Sequence, residues 1–489
     1  MRKSLVAALA VVVVAGAALA AVPLVERHAA RQIKADLERD GATKVGSVEV
    51  GLFARKIVMH DLKAARVGEI DIGRWEASGL AWPLGELVKG NTPLAGLKLG
   101  DPLQAKHLEV RDLAMVQDRT RWSVASVAVD DFNLERYDPA VGPGQFSHLT
   151  ARILAALSMG HAEEKGAVLT NLVTNETVAI DSLVIDRFDK GHVGATVMTG
   201  FAFGAKPPGE AMFRMAEFKL GDLDFQRGLK AMSSVSWRPG MPLGRVGLGS
   251  ASLTGFSGEA LRRYGIALGS ITHQSTYENK DVRHSRMVVE GFVLNPPAGN
   301  REALQIRIVL QAMGLKELKL AMDCSGTEDR AKGEVGVDRC ALTGPDLGEV
   351  NLSFKLVNAD PPFWQAIDDG NTFALLGSKA GVGSAKVVIV DRGLVERSVK
   401  GFAVTSGQAP AAVRTALAQE VRRFQPPGVL ITEDFSKLLD TTAGFIERGG
   451  TFTLEAKPPS PIGLDKAQYF SRPGPDLVDV LGLSATLSP

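Results

Sequence analysis

Past residue 41 the apolar residues recur with a period of two, and this alternation constrains the fold more than any other feature. Ile70 and Ile72 alternate with Glu69, Asp71 and Gly73; Val350, Leu352, Phe354 and Leu356 alternate with Asn351, Ser353 and Lys355. Leu304, Ile306, Ile308 and Leu310 repeat the pattern, and Leu318, Leu320, Met322 and Cys324 share one parity. Strands of this kind bury one face and wet the other, as antiparallel sheets do. The segment 302–357 therefore predicts a four-strand meander. The expected fold is mainly β: an elongated, curled antiparallel sheet, as an open groove or a sandwich, with an N-terminal transmembrane helix and a few amphipathic helices in the C-terminal part.

Composition narrows the function classes. The 489 residues carry 56 Lys+Arg against 55 Asp+Glu, a net charge of +1, and no block of like charges. A nucleic-acid partner would need a segregated basic patch, so none is expected. Glycine, at 52 residues, exceeds its usual share of about 7%. The expected place for the excess is in turns between many short strands.

Arg2 and Lys3 precede an uncharged stretch from Ser4 to Val25. Its length matches the roughly 20 residues that cross a bilayer as a helix. Ala18-Leu19-Ala20 also resembles a signal-peptidase site, so residues 1–25 read as a membrane anchor or a cleaved signal segment. Either reading exports the bulk of the chain, and the basic pair leaves a short tip in the cytoplasm. A charged juxtamembrane helix over 26–41 follows, with Leu24, His28, Ile33 and Leu37 near one face and a stop at Gly41.

Residues 42–390 predict an extended antiparallel β domain. A helical insertion near 144–160 is marked by Phe146, Leu149, Ile153 and Leu157. A degenerate motif recurs along this domain, with Asp or Gly set beside apolar residues. It appears as Met59-His60-Asp61-Leu62, Val110-Arg111-Asp112-Leu113, Asp186-Arg187-Phe188, Leu220-Gly221-Asp222-Leu223 and Leu253-Thr254-Gly255-Phe256. At these points a bulge or tight turn is expected to break the strands. Residues 391–450 predict helices: Val395 and Val399 mark one, Pro410 starts another, and Phe435, Leu439 and Phe445 mark a third, ended by Gly449-Gly450. Return strands and a short helix are expected over 451–489.

Cys324 and Cys340 flank a plausible hairpin and could face each other across two strands. Val335 and Val337 have the opposite parity from Cys340, so a disulfide there needs a bulge between them. Two buried, unbonded side chains are the alternative reading.

No catalytic or metal motif is present. The eight histidines form no metal-ligand spacing, so no metal and no cofactor is expected. His161 with Glu163 and Glu164 reads as a solvated end after a helix closing at Gly160. The glycine-rich stretch 377–384 lacks the ending of a phosphate loop and reads as a flexible turn before a strand at 386–390. The chain is not expected to be an enzyme.

An anchor and a charged helix, then Val45-Gly46-Ser47-Val48-Glu49-Val50-Gly51-Leu52-Phe53 and Ile57-Val58-Met59-His60-Asp61-Leu62, resemble the start of AsmA-like proteins of Gram-negative bacteria. The resemblance covers about the first 65 residues plus the general strand pattern. It implies a periplasmic sheet anchored in the inner membrane and curled into a groove, grouped with bridge-like lipid-transfer proteins and tied to outer-membrane homeostasis. The helical segment 391–450 departs from that pattern.

Two functional readings follow. In the first, Ile70, Ile72, Leu304, Ile306, Ile308, Leu318, Leu320, Leu352 and Phe354 line an apolar groove that binds or shuttles phospholipid, each buried CH2 contributing about 0.8 kcal/mol. In the second, these residues pack into a closed core, and the protein is an envelope scaffold that binds partner proteins.

Overall fold

The computed structural model describes residues 22–39, 41–65, 69–91, 100–117, 119–140, 146–205, 210–234, 236–238, 244, 246–425, 431–464 and 477–489. The chain divides into two compact units, Met1–Ala211 with Asp222–Pro239 and Met212–Gly221 with Gly240–Pro489.

Unit 1 is built on eight strands: β1 (Thr43–Gly51), β2 (Lys56–Ala64), β3 (Glu69–Ser78), β4 (Leu103–Gln117), β5 (Thr120–Leu134), β6 (Leu157–Asn171), β7 (Thr177–Asp189) and β8 (His192–Ala205). Each pairs antiparallel with the next. The sheet is open and uncurled, so the expected curl is corrected.

The recurring Asp/Gly motif has a common backbone geometry. Asp61, Asp112, Arg187, Asp222 and Gly255 all have positive φ, at 51°, 54°, 60°, 50° and 71°. The expected break in the strands does not occur at Asp61 or Asp112. Pairing continues on both sides of Asp61, from Val45 with Leu62 to Ser47 with His60. It continues likewise past Asp112, from Ile72 with Leu113 to Arg74 with Arg111. Asp tolerates this left-handed backbone better than most residues. What the kink changes is the phase of the side chains. Val45 and Val48, three residues apart, pack into one core together with Leu62 and Met59, also three apart. The alternation thus slips by one residue at the kink, and apolar side chains on both sides of it stay on one face.

These kinks also relocate part of the glycine excess. Gly46 lies opposite Asp61, and a Cβ on it would sit 3.0 Å from the Asp61 Cβ. Gly73 stands in the same relation to Asp112, again at 3.0 Å. Such glycines lie inside strands, not in the turns where they were expected.

The helix 22–38 packs on the apolar face of β1–β4. Ala29 and Ile33 are buried there beside Val50, Ile57, Met59 and Ala77, with Val25 and Leu37 against the same cluster. Its buried stripe is therefore 25, 29, 33 and 37, at the four-residue spacing of one helix face. Leu24 and His28, expected on that stripe, are exposed. The anchor or signal segment proposed for 1–25 lies outside the described residues as far as residue 21. Among the described residues no helix is long and apolar enough to cross a membrane.

Unit 2 holds β9 (Phe213–Asp224, belonging here as far as Gly221), β10 (Gly247–Thr254), β11 (Ile266–Ala267), β12 (Ser270–Tyr277), β13 (Val282–Leu294), β14 (Leu318–Asp329), β15 (Glu334–Gly344), β16 (Gly348–Val357), β17 (Gly381–Asp391), β18 (Thr451–Ala456), β19 (Ile462–Gly463) and β20 (Leu483–Ser488). The main order is β9–β10–β12–β13–β14–β15–β16–β17–β18–β20, antiparallel from β10 onward, with β11 beside β13 and β19 beside β17. This sheet too is open and uncurled. β17 starts at Gly381, inside the glycine-rich stretch that was expected to be a turn.

Two expectations fail, one in each unit. The first strand of the 302–357 meander is the helix Leu304–Ala312, so only three strands, β14–β16, remain there. Val309 and Met313, one helical turn apart, approach Gly401 of the helix Leu394–Ser406. Arg397 donates to the Met313 carbonyl at 3.0 Å and to that of Gly314 at 3.1 Å. This tertiary packing favours the helix over the strand that the alternation also permits. The second failure is at His161, which is no helix end: Gly160 and His161 lie within β6.

Cys324 and Cys340 are direct partners across β14 and β15 and form a disulfide. Ser325 pairs with Arg339 and Gly326 with Val337, so Asp338 is the extra residue that lets the two cysteines share a face.

Candidate functional site

Residues directly opposed in antiparallel strands share a face, so the register identifies continuous rows of side chains. In unit 2 one row runs Leu253–Ile271–Val289–Met322–Leu342–Val350–Ile389–Phe452–Leu487 across nine strands. It is apolar at every position. The adjacent row passes through Met287, Cys324, Cys340, Leu352, Val387 and Leu454. The other face is wet: Arg286 grips Asp323 through two hydrogen bonds of 2.9 and 2.8 Å, and Arg339 pairs with Glu349. The fork hydrogen bond from Arg286 holds the Asp323 carboxyl below its usual range.

Helices cover only part of the apolar face. Val395, Val399 and Ala403 of Leu394–Ser406, Val413 of Pro410–Arg422 and Phe445 of Glu433–Arg448 form a core with Phe452. Ile389, Leu454, Ala485 and Leu487 pack against that core. Phe363 and Trp364 of the helix Pro361–Asp369 cover Val335 and Leu356. Across the middle of β10–β16 the described residues supply no such cover. Phe452 is 6% exposed, whereas Leu342 in the same row is 43% exposed and Leu352 in the next row is 40% exposed. Met287 and Phe354 are exposed as well. Soluble proteins rarely leave large apolar side chains contiguous and exposed, except where something binds.

Four of the expected lining residues, Leu318, Leu320, Leu352 and Phe354, belong to this face. Leu320 opposes Phe292, Leu318 opposes Leu294, and Phe354 opposes Val337 and Ala385. Leu304, Ile306 and Ile308 do not: they are exposed positions of the helix Leu304–Ala312 and line no sheet face.

Ile70 and Ile72 lie on an apolar face of unit 1. Ile70 belongs to the row Ala64–Ile70–Met115–Trp122–Leu169–Val178–Phe203. Ile72 belongs to the row Val45–Leu62–Ile72–Leu113–Val124. Beyond the kinks the face continues through Val48–Met59–Trp75–Val110–Val127–Glu164–Leu183–Met198 and Val50–Ile57–Ala77–Leu108–Val129–Ala162–Ile185–Thr196. The helix 22–38 covers the β1–β4 end, and Trp122 and Phe203 at the uncovered end are each 48% exposed. The opposite face carries a ladder of His107, Asp130, His161 and Asp186. In it each histidine Nδ1 lies 2.7 Å from its aspartate.

Sequence reasoning missed the boundary of the helical cover and the place of Glu164. Both depend on which strand neighbours a helix or kink, which residue periodicity does not record. Among the described residues no group of three or more His, Cys, Asp or Glu is placed to hold a metal ion.

Residues 341–488 match a family model described as an uncharacterized protein. No curated protein matches the chain. The matched segment contains β16–β20 and the helices that cover them.

Proposed function

We propose that this chain is an exported, membrane-anchored protein that holds lipid against open apolar faces of its sheets and serves the cell envelope, as its resemblance to AsmA-like proteins implies. The carrying observation is the exposure of Leu342, in a row that is apolar from β10 to β20, and of Leu352, in the next row, which is apolar from Met287 to Leu454. An acyl chain lying along such a face needs no specific polar contact, and covering the exposed two-fifths of a leucine such as Leu342 contributes about 1 kcal/mol. The competing reading, a scaffold with a closed core, requires a cover over β10–β16 that the described residues do not supply.

A photo-crosslinking amino acid at Leu352, with Ser353 on the wet face as control, tests the proposal in cells. Lipid adducts at Leu352 and none at Ser353 support it. Protein adducts alone at Leu352 would favour the scaffold.

A further inference from the structure

Among the residues of the four rows traced above on the apolar face of unit 1, Glu164 is the single charged one. It stands between Val127 on β5 and Leu183 on β7. Its sequence neighbours Glu163 and Lys165 point to the other face, where they pair with each other at 2.8 Å. Among the described residues no hydrogen bond or ion pair engages the Glu164 carboxylate. It is half-buried, and burial pushes its carboxyl above the usual range.

An unpaired carboxylate in an apolar field restricts what can lie over it. A purely apolar occupant would strip its remaining water and leave the charge unpaired. An anionic headgroup would be repelled. A cation that donates hydrogen bonds would restore the lost partner. From Val127 to Trp122 the strand runs five residues, roughly 16 Å at strand rise, across Val124 and Trp122 of the same face. An acyl chain fits along that length while its polar end stays at Glu164.

We propose that the open face of unit 1 takes an amphiphile whose headgroup carries a primary ammonium, with the Glu164 carboxylate as its partner. The inference rests on the lipid reading above and adds the headgroup class.

The test uses the full chain, incubated with vesicles of equal parts phosphatidylethanolamine and phosphatidylglycerol with identical acyl chains. The protein is reisolated and its lipid quantified by mass spectrometry. Wild type should enrich the amine lipid about threefold to fivefold over the vesicle ratio, the scale of a half-exposed ion pair. Glu164→Gln, nearly isosteric, should carry a comparable amount of lipid at the vesicle ratio, and Glu164→Asp should keep part of the preference. Lipid bound by wild type without preference, or a preference that survives in Glu164→Gln, would overturn the headgroup assignment alone. No lipid on any of the proteins would overturn the lipid reading and this inference with it.

Discussion

Gly73 and Asp112 face each other across β3 and β4, and the left-handed backbone of Asp112 leaves little room for a side chain on its partner. A Cβ on Gly73 would meet the Asp112 Cβ at 3.0 Å, so Asp112 must give way by a few tenths of an ångström if the glycine is replaced. Gly73→Ala should destabilise unit 1 by about 1–3 kcal/mol, the range of overpacking. Gly85→Ala is the control. That glycine lies in the helix Leu84–Val88 with nothing within 4 Å of the added carbon. Its replacement should be neutral or stabilising by up to about 1 kcal/mol. Urea unfolding of the two variants checks both signs.

The unit 2 row that contains Phe452 and Leu342 predicts two different responses to truncation. Phe452 lies under three helices, and Phe452→Ala should cost about 3–5 kcal/mol. Leu342→Ala and Leu352→Ala remove side chains that are already exposed and should each cost under about 1 kcal/mol. The same two variants should bind less of an apolar fluorescent probe than wild type does. Thermal unfolding and probe titration separate stability from binding.

The bond between Cys324 and Cys340 closes a loop with a sequence separation of 16. Its removal by Cys324→Ala with Cys340→Ala should cost about 3 kcal/mol on the chain-entropy account. Alkylation without reductant should label neither cysteine in protein from an oxidising compartment. Two labelled thiols would refute the bond.

The Glu164 carboxyl gives a pH signature. Its folded-state pKa is raised by burial, so the unfolded chain releases this proton at lower pH than the folded chain does. The resulting penalty is absent below the unfolded value, at about pH 4, and fully present once the pH exceeds the folded value. Glu164→Gln should therefore melt at a higher temperature than wild type at pH 8, and at the same temperature at pH 3.5. Calorimetry at the two pH values reads the difference.

The strands, the antiparallel pairing and the C-terminal helices were legible because their signals are local. Pro410 begins a helix, the Thr432 hydroxyl accepts from the Phe435 N–H, and Gly449 ends that helix. Asp360 before Pro361 and Pro362 is a cap of the same kind, overlooked past the end of the 302–357 meander in the stretch assigned to the β domain. Leu304–Ala312 could not be decided locally, because its apolar residues fit both periods and Gly401 lies far away in sequence. Glu164 was visible only as one charge in a cluster with His161 and Glu163. Its assignment to the apolar face depends on the positive φ of Gly166, at 64°, which no periodicity reveals. The Asp/Gly motif was read correctly as a backbone feature; it breaks no strand at Asp61 or Asp112, whereas β10 does end at Thr254, just before Gly255.

The proposed cargo of the open faces is lipid. Native mass spectrometry of the full chain, extracted from membranes without detergent in a polymer belt and then released, tests it most directly. The predicted result is phospholipid bound to wild type and diminished several-fold in Leu342→Asp with Leu352→Asp, which place charge on the uncovered rows. Wild-type protein free of lipid, or lipid retained equally by the double variant, would contradict the account.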